Sequence, residues 1–208
     1  MVHTWQISKP IFTLALDTDP VLKKNSIHMN HSNPKSYTVT GIIAALWGVT
    51  GLLTLLGFAV WRLGNNMLEA FKMPLDGAHW LVFVVFLIFM SYSEGYKGFQ
   101  VKFSPRFAAR MLYLSQSATP VLLVFAPLFC MGYFGATKKR VIATFALTAM
   151  IVVFILSFQL VPQPWRGLLD AGVVIGLFWG MVSTVLLCLK AFTEDRFHYD
   201  AELSDNLL

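Results

Sequence analysis

The sequence predicts an all-α fold: a polytopic helical bundle integral to a membrane, with five transmembrane helices and one interfacial amphipathic helix. Three observations carry that expectation. Hydrophobic residues fill 56% of the 208 positions and charged residues only 13%, too little polar surface for a soluble domain of this length. The mean hydropathy is +0.63. Charge-free apolar runs recur near the length of about 20 residues that crosses a hydrocarbon core of about 30 Å, and their continuity excludes the alternating strands of a transmembrane barrel.

Residues 1–38 read as a polar N-terminal arm. Its one apolar stretch, IFTLALDTDPVL, is interrupted by Asp17 and Asp19, so it is not read as a secretory signal; the absence of arginine likewise argues against a transit peptide. The first membrane segment then serves as its own uncleaved insertion signal. His28 and His31 have metal-ligand spacing only on a helix, and Asn30, Asn33 and Pro34 oppose one, so no metal is expected.

The first span covers about 39–61 and ends in Trp61, with Gly41, Ala44, Ala45 and Gly48 forming a weak small-residue face. The second starts near Trp80, the partner of Trp61 in an aromatic belt. Its apolar run from Ala78 to Ser93 covers only about 24 Å at about 1.5 Å per residue. The helix must extend to about 97, drawing Glu94 and Lys97 toward the acyl boundary, where an unpaired charge is costly. Ser104 and Pro105 look like a helix start. They open an interfacial helix over about 105–116, with Arg106, Arg110 and Tyr113 on one face and Phe107, Met111 and Leu114 on the other.

Thr119 and Pro120 repeat that start signal for a third span over 119–137, which Pro127 should kink. A fourth runs over 141–161. The turn VPQPWRG places Trp165 at the headgroups opposite Trp61 and Trp80, and the fifth span follows at 167–189. Its glycines Gly172, Gly176 and Gly180 share one helix face, a groove for close helix packing that is read as intramolecular. Cys130 and Cys188 both lie in apolar runs, so they read as small buried hydrophobes on one side of the membrane. Residues 191–208 form an acidic, solvated tail, with neutralisation of Lys138–Arg140 as its alternative role.

Five alternating spans put nine cations on the N-terminal side (face A) and seven on the other (face B), a slight bias toward a cytoplasmic face A. The same count gathers Glu94, Tyr96, Lys97, Arg106, Arg110, Arg166 and Asp170 on face A. Structural pairing is the simplest reading of that cluster: a carboxylate–arginine pair, Asp170 at a helix N-terminus, and snorkelling cations. Ligand binding is the functional reading, because Gly95 and Gly98 leave room beside Tyr96 and Lys97.

No HExxH, GxSxG, paired CxxC, phosphate loop or dinucleotide fingerprint occurs, and His79 is the only histidine close to a span, so neither an enzyme nor a cofactor is expected. The basic balance is explained by juxtamembrane cations facing anionic lipid rather than nucleic acid. The expected function is therefore non-catalytic: an accessory or ligand- or lipid-binding subunit of a membrane, read as a bacterial inner membrane. Its expected partners are membrane lipids, including anionic ones, and a partner subunit or second copy. The alternative is a small oligomeric transporter or channel with Glu94 and Asp170 in its pathway.

Overall fold

The computed structural model describes residues 36–194 and 197–204; the arm's histidines and aspartates, with Asp195, Arg196 and Asp205, lie outside them. Helix α1 spans Val39–Phe71. The Thr38 hydroxyl oxygen caps it by accepting from the Gly41 amide at 3.0 Å, satisfying one of the four amides a helix start leaves open. It outruns the 39–61 expectation because Met67, Leu68, Glu69 and Ala70 are good helix formers.

Helix α2, Gly77–Met90, begins with a reciprocal cap between Asp76 and His79 and runs without a break through a π-helical segment, Ser91–Phe103, into α3, Ser104–Gln116. Pro105 has no N–H, and in an α-helix its ring would strike the carbonyl four residues back. The wider π turns before it relieve that collision, so the Ser-Pro pair continues a helix instead of starting one.

The 119–137 segment folds as two short helices, α4 (Pro120–Val124) and α5 (Ala126–Met131). The chain breaks at Phe125, two residues before Pro127, and α5 stops at Gly132 with φ 89°, a left-handed value that glycine adopts without Cβ strain. Helices α6 (Lys138–Gln159) and α7 (Trp165–Thr193) complete the order. Four helices among the described residues are long and apolar enough to cross a membrane: α1, the continuous α2–α3 rod, α6 and α7. The proline-broken 119–137 segment forms no helix of that length, so the fifth span is not found.

Contacts at the helix ends set the directions. At one end the Thr38 amide donates to the Ser115 carbonyl at 3.2 Å, a Cβ on Gly41 would collide with that carbonyl, and the Tyr37 and Phe192 rings lie 5.8 Å apart. This is face A. At the other end a Cβ on Gly167 would collide with Ala70 and the Asn66 carbonyl, and the rings of His79 and Trp165 lie 4.3 Å apart. Helix α7 therefore runs from face B to face A beside α2–α3 and antiparallel to α1, and Trp165 shares the face of Trp80 rather than facing it across the membrane.

The expected interfacial helix is also corrected. In α3, Phe107, Ala108, Ala109, Arg110, Met111 and Leu114 are all buried, because α1, α5 and α7 surround it and no side is left for lipid. The glycine face of α7 lies on the α2–π rod: Cβ atoms on Gly172 and Gly180 would come within 2.6 Å of the Phe86 and Phe99 rings. Helix α6 stands apart. Thr144 is its one buried residue, and the Tyr133 hydroxyl bonds that of Thr148 at 2.7 Å near its start.

Candidate functional site

The polar residues singled out from the sequence fall at three levels of the bundle instead of one. Arg166 and Asp170 lie at face B in the first turns of α7. Asp170, 2% exposed, accepts a hydrogen bond from Asn66 Nδ2 at 2.8 Å and stands 3.9 Å from Arg166 Nε. Gln163 closes the corner by donating to the Asn66 carbonyl at 3.3 Å and accepting from the Gly167 amide at 3.1 Å. This is a sealed structural joint between α1 and α7. Its residues were assigned to face A because a fifth span would have inverted α7.

Glu94 occupies the second level, fourteen residues beyond Trp80 and so roughly 20 Å along the rod. It projects onto the glycine face, where a Cβ on Gly176 would lie 3.1 Å from its Oε2. That oxygen is fully buried and has no hydrogen-bond partner. Tyr96 is on the outer side, stacked on Tyr92 at 5.9 Å, and the two line an open groove with Leu87, Ile88, Ser91 and Trp179. Lys97 is exposed. One and two turns further on, Trp179 Nε1 donates to Gln100 Oε1 at 2.8 Å, and the Ser104 hydroxyl lies 2.8 Å from that of Thr184 and 3.1 Å from that of Ser183.

The third level, at face A, is the most highly organised. Arg110 is 1% exposed and spends its guanidinium on carbonyls: Nε donates to Ala201 at 2.8 Å, Nη1 to Phe129 at 2.8 Å and Phe134 at 3.3 Å, and Nη2 to Glu202 at 3.1 Å. It also lies over the Phe129 ring, 5.2 Å from its centroid, a cation–π contact. These bonds hold the α5–α6 connection and the C-terminal tail on one fork, and they satisfy carbonyls left open where α5 ends. Among its described residues the tail is docked, not solvated. Thr137 donates to the Glu202 carbonyl at 3.0 Å, Ser204 donates to Gly135 at 3.2 Å, and Ala136 bridges Leu203.

The Glu202 side chain then reaches two more arginines. Its Oε1 is 3.1 Å from Arg106 Nε and its Oε2 is 3.9 Å from Arg140 Nε. Lys138 and Lys139 are exposed beside it.

No protein-family model, curated protein or solved structure matches this chain.

Geometry and charge therefore define the candidate site: Arg106 and Arg140, half-exposed and steadied by the Arg110 cage, converge on a point where an anion sits. Arg106 and Arg110 were legible in the sequence as charges on a helix beside the membrane. Arg140 and Glu202 were visible only as a basic loop and an acidic tail on one side. Among the described residues no group of three His, Cys, Asp or Glu is arranged for a metal. Cys130 and Cys188 are buried free thiols of the same core.

Proposed function

We propose that this protein is a non-catalytic membrane subunit that holds an anionic lipid headgroup at face A, with that face toward the cytoplasm. The observation that carries the reading is the Glu202 carboxylate seated between Arg106 and Arg140, a carboxylate standing where a phosphate would be bound by the same donors. Arg140 directly precedes the apolar run of α6, which puts the site at a membrane boundary within reach of a headgroup.

The corrected direction of α7 supports the sidedness. Lys97, Lys102, Arg106, Arg110, Lys138–Arg140 and Lys190 lie toward face A, whereas only Arg62, Lys72 and Arg166 of the described cations lie toward face B. The even balance expected from five spans becomes a strong excess, and such an excess marks the cytoplasmic side. Anionic lipid of that leaflet attracts juxtamembrane cations at about 1 kcal/mol each. A bacterial inner membrane would supply such a lipid.

The test is native mass spectrometry after reconstitution in phosphatidylcholine with phosphatidylglycerol. Phosphatidylglycerol should be retained preferentially, and Arg106→Gln with Arg140→Gln should abolish the preference. An unchanged preference in that double variant refutes the reading.

One observation favours a second reading, a small transporter or channel: the buried, unpartnered Glu94 Oε2 deep in the rod, since ionisable groups at such depth commonly mark ion paths. Asp170 has no part in it, being tied to Asn66 and Arg166 at face B. Ion or proton flux in proteoliposomes that Glu94→Gln eliminates would replace the first reading with this one; absence of flux in the unmodified protein dismisses it.

A further inference from the structure

We infer that the C-terminal tail is a displaceable occupant of the face A site, with the Glu202 carboxylate competing against the phosphate of an anionic lipid for Arg106 and Arg140. This rests on the anionic-lipid reading above and adds how the site is filled and emptied.

Two distinct attachments hold the tail. The backbone attachment is deep: Arg110 grips the Ala201 and Glu202 carbonyls, and Thr137 and Gly135 bond Glu202 and Ser204. The side-chain attachment is shallow. The Arg106, Arg140 and Glu202 side chains retain 35%, 18% and 31% of their exposure, so a competitor from outside can reach the same guanidinium groups without first breaking the core.

The local charge favours such a competitor. Arg106, Arg110, Arg140, Lys138 and Lys139 surround the site, while Glu202 and Asp200 are the acids near it among the described residues. One carboxylate answers two half-exposed guanidinium groups, at 3.1 Å and 3.9 Å; the longer pair leaves Arg140 incompletely engaged. A phosphodiester has more acceptor oxygens to spread over two forks than a single carboxylate placed this way. Glu202 also has φ 48°, a left-handed backbone that a non-glycine residue holds only when its surroundings enforce it. Release of the tail relieves that conformation.

The ligand is a membrane lipid rather than a free anion because the site continues into apolar helix. Ile142 and Phe145, just past Arg140, are 68% and 56% exposed and offer acyl chains a surface next to the headgroup. The shared chemistry is a phosphate, and the lipid and free-phosphate sources are separated by experiment.

The experiment uses the full chain in nanodiscs of phosphatidylcholine alone, of phosphatidylcholine with phosphatidylglycerol, and of phosphatidylcholine with added inorganic phosphate. Amide hydrogen exchange reports the tail through the Thr137 and Ser204 amides. With phosphatidylglycerol both should exchange at least about fivefold faster, the factor corresponding to one cation–lipid interaction. Glu202→Gln, which keeps the backbone carbonyl that Arg110 uses, should raise phosphatidylglycerol binding by a similar factor.

If Arg106→Gln weakens lipid binding while Glu202→Gln leaves it unchanged and the two amides stay protected, the tail is a fixed strut and this inference fails, though the lipid reading stands. If Arg106→Gln with Arg140→Gln leaves lipid binding intact, the lipid reading itself fails. Equal opening by inorganic phosphate in phosphatidylcholine overturns the assignment to lipid.

Discussion

Asp170 and Asn66, 104 positions apart in the chain, meet at 2.8 Å inside the face B joint. The bond is the polar lock of the longest helix pair, placed where Gly167 lets α7 touch α1. Burial makes it consequential, because Asp170 is 2% exposed and its other cation, Arg166, stands at 3.9 Å.

Asn66→Ala should therefore destabilise the folded protein by about 2 kcal/mol, the typical loss when a buried charged acceptor forfeits its donor. Thermal unfolding in detergent reads this directly. Asn66→Gln can reach the same oxygen from one bond further out and should recover part of it.

The glycines of α7 and α1 should separate by what each faces. Gly167→Ala meets backbone and Gly180→Ala meets the Phe99 ring, so each should cost about 1–3 kcal/mol as overpacking. Gly176→Ala meets the mobile end of Glu94 at 3.1 Å and should cost less. Nothing lies within 4 Å of a Cβ at Gly57 or Gly64, and alanine at either should stabilise by roughly 0.5–1 kcal/mol through helix propensity. A uniform response across the five variants would contradict the packing described.

Arg110→Met should cost on the order of 3 kcal/mol, because the carbonyls of Phe129, Phe134, Ala201 and Glu202 lose their shared donor at once. The tail should become cleavable by added protease between α7 and its terminus. Arg110→Lys should rescue stability only in part, since an ammonium cannot reproduce the planar fork.

Asp76 responds to acid. Its carboxylate is held below the usual range chiefly by the His79 backbone amide and then by the His79 side chain. A depressed folded value means the cap is fully present above the ordinary carboxylate range, about 4, and is lost as pH falls through the lower folded value. Exchange of the His79 amide should accelerate in that acid window in the wild type. In Asp76→Asn the acid step should disappear.

Reading the chain by itself succeeded where the cause is local. Charge-free runs located α1, the start of α2, α6 and α7; the shortfall of the Ala78–Ser93 run required that helix to continue; Thr38 and Asp76 have the chemistry that caps helices. The weakness lay at Ser104–Pro105 and at residues 119–137. Their start signals and apolar content are the same whether a segment crosses lipid or packs inside protein.

Composition and run length thus determined that this is a helical membrane protein with charge concentrated at the helix ends. Tertiary structure alone decided how many times the chain crosses and which charges meet. The 119–137 segment is apolar enough for lipid, but Pro127 breaks its helix and the Arg110 fork binds the carbonyls around that break, so burial against α1 and α3 replaces a crossing. Removing that one crossing reverses everything after it, sending Arg166 and Asp170 to Asn66 and bringing Arg140 and Glu202 to Arg106. Run length carries no information about such parity, because it depends on contacts between residues far apart in the chain.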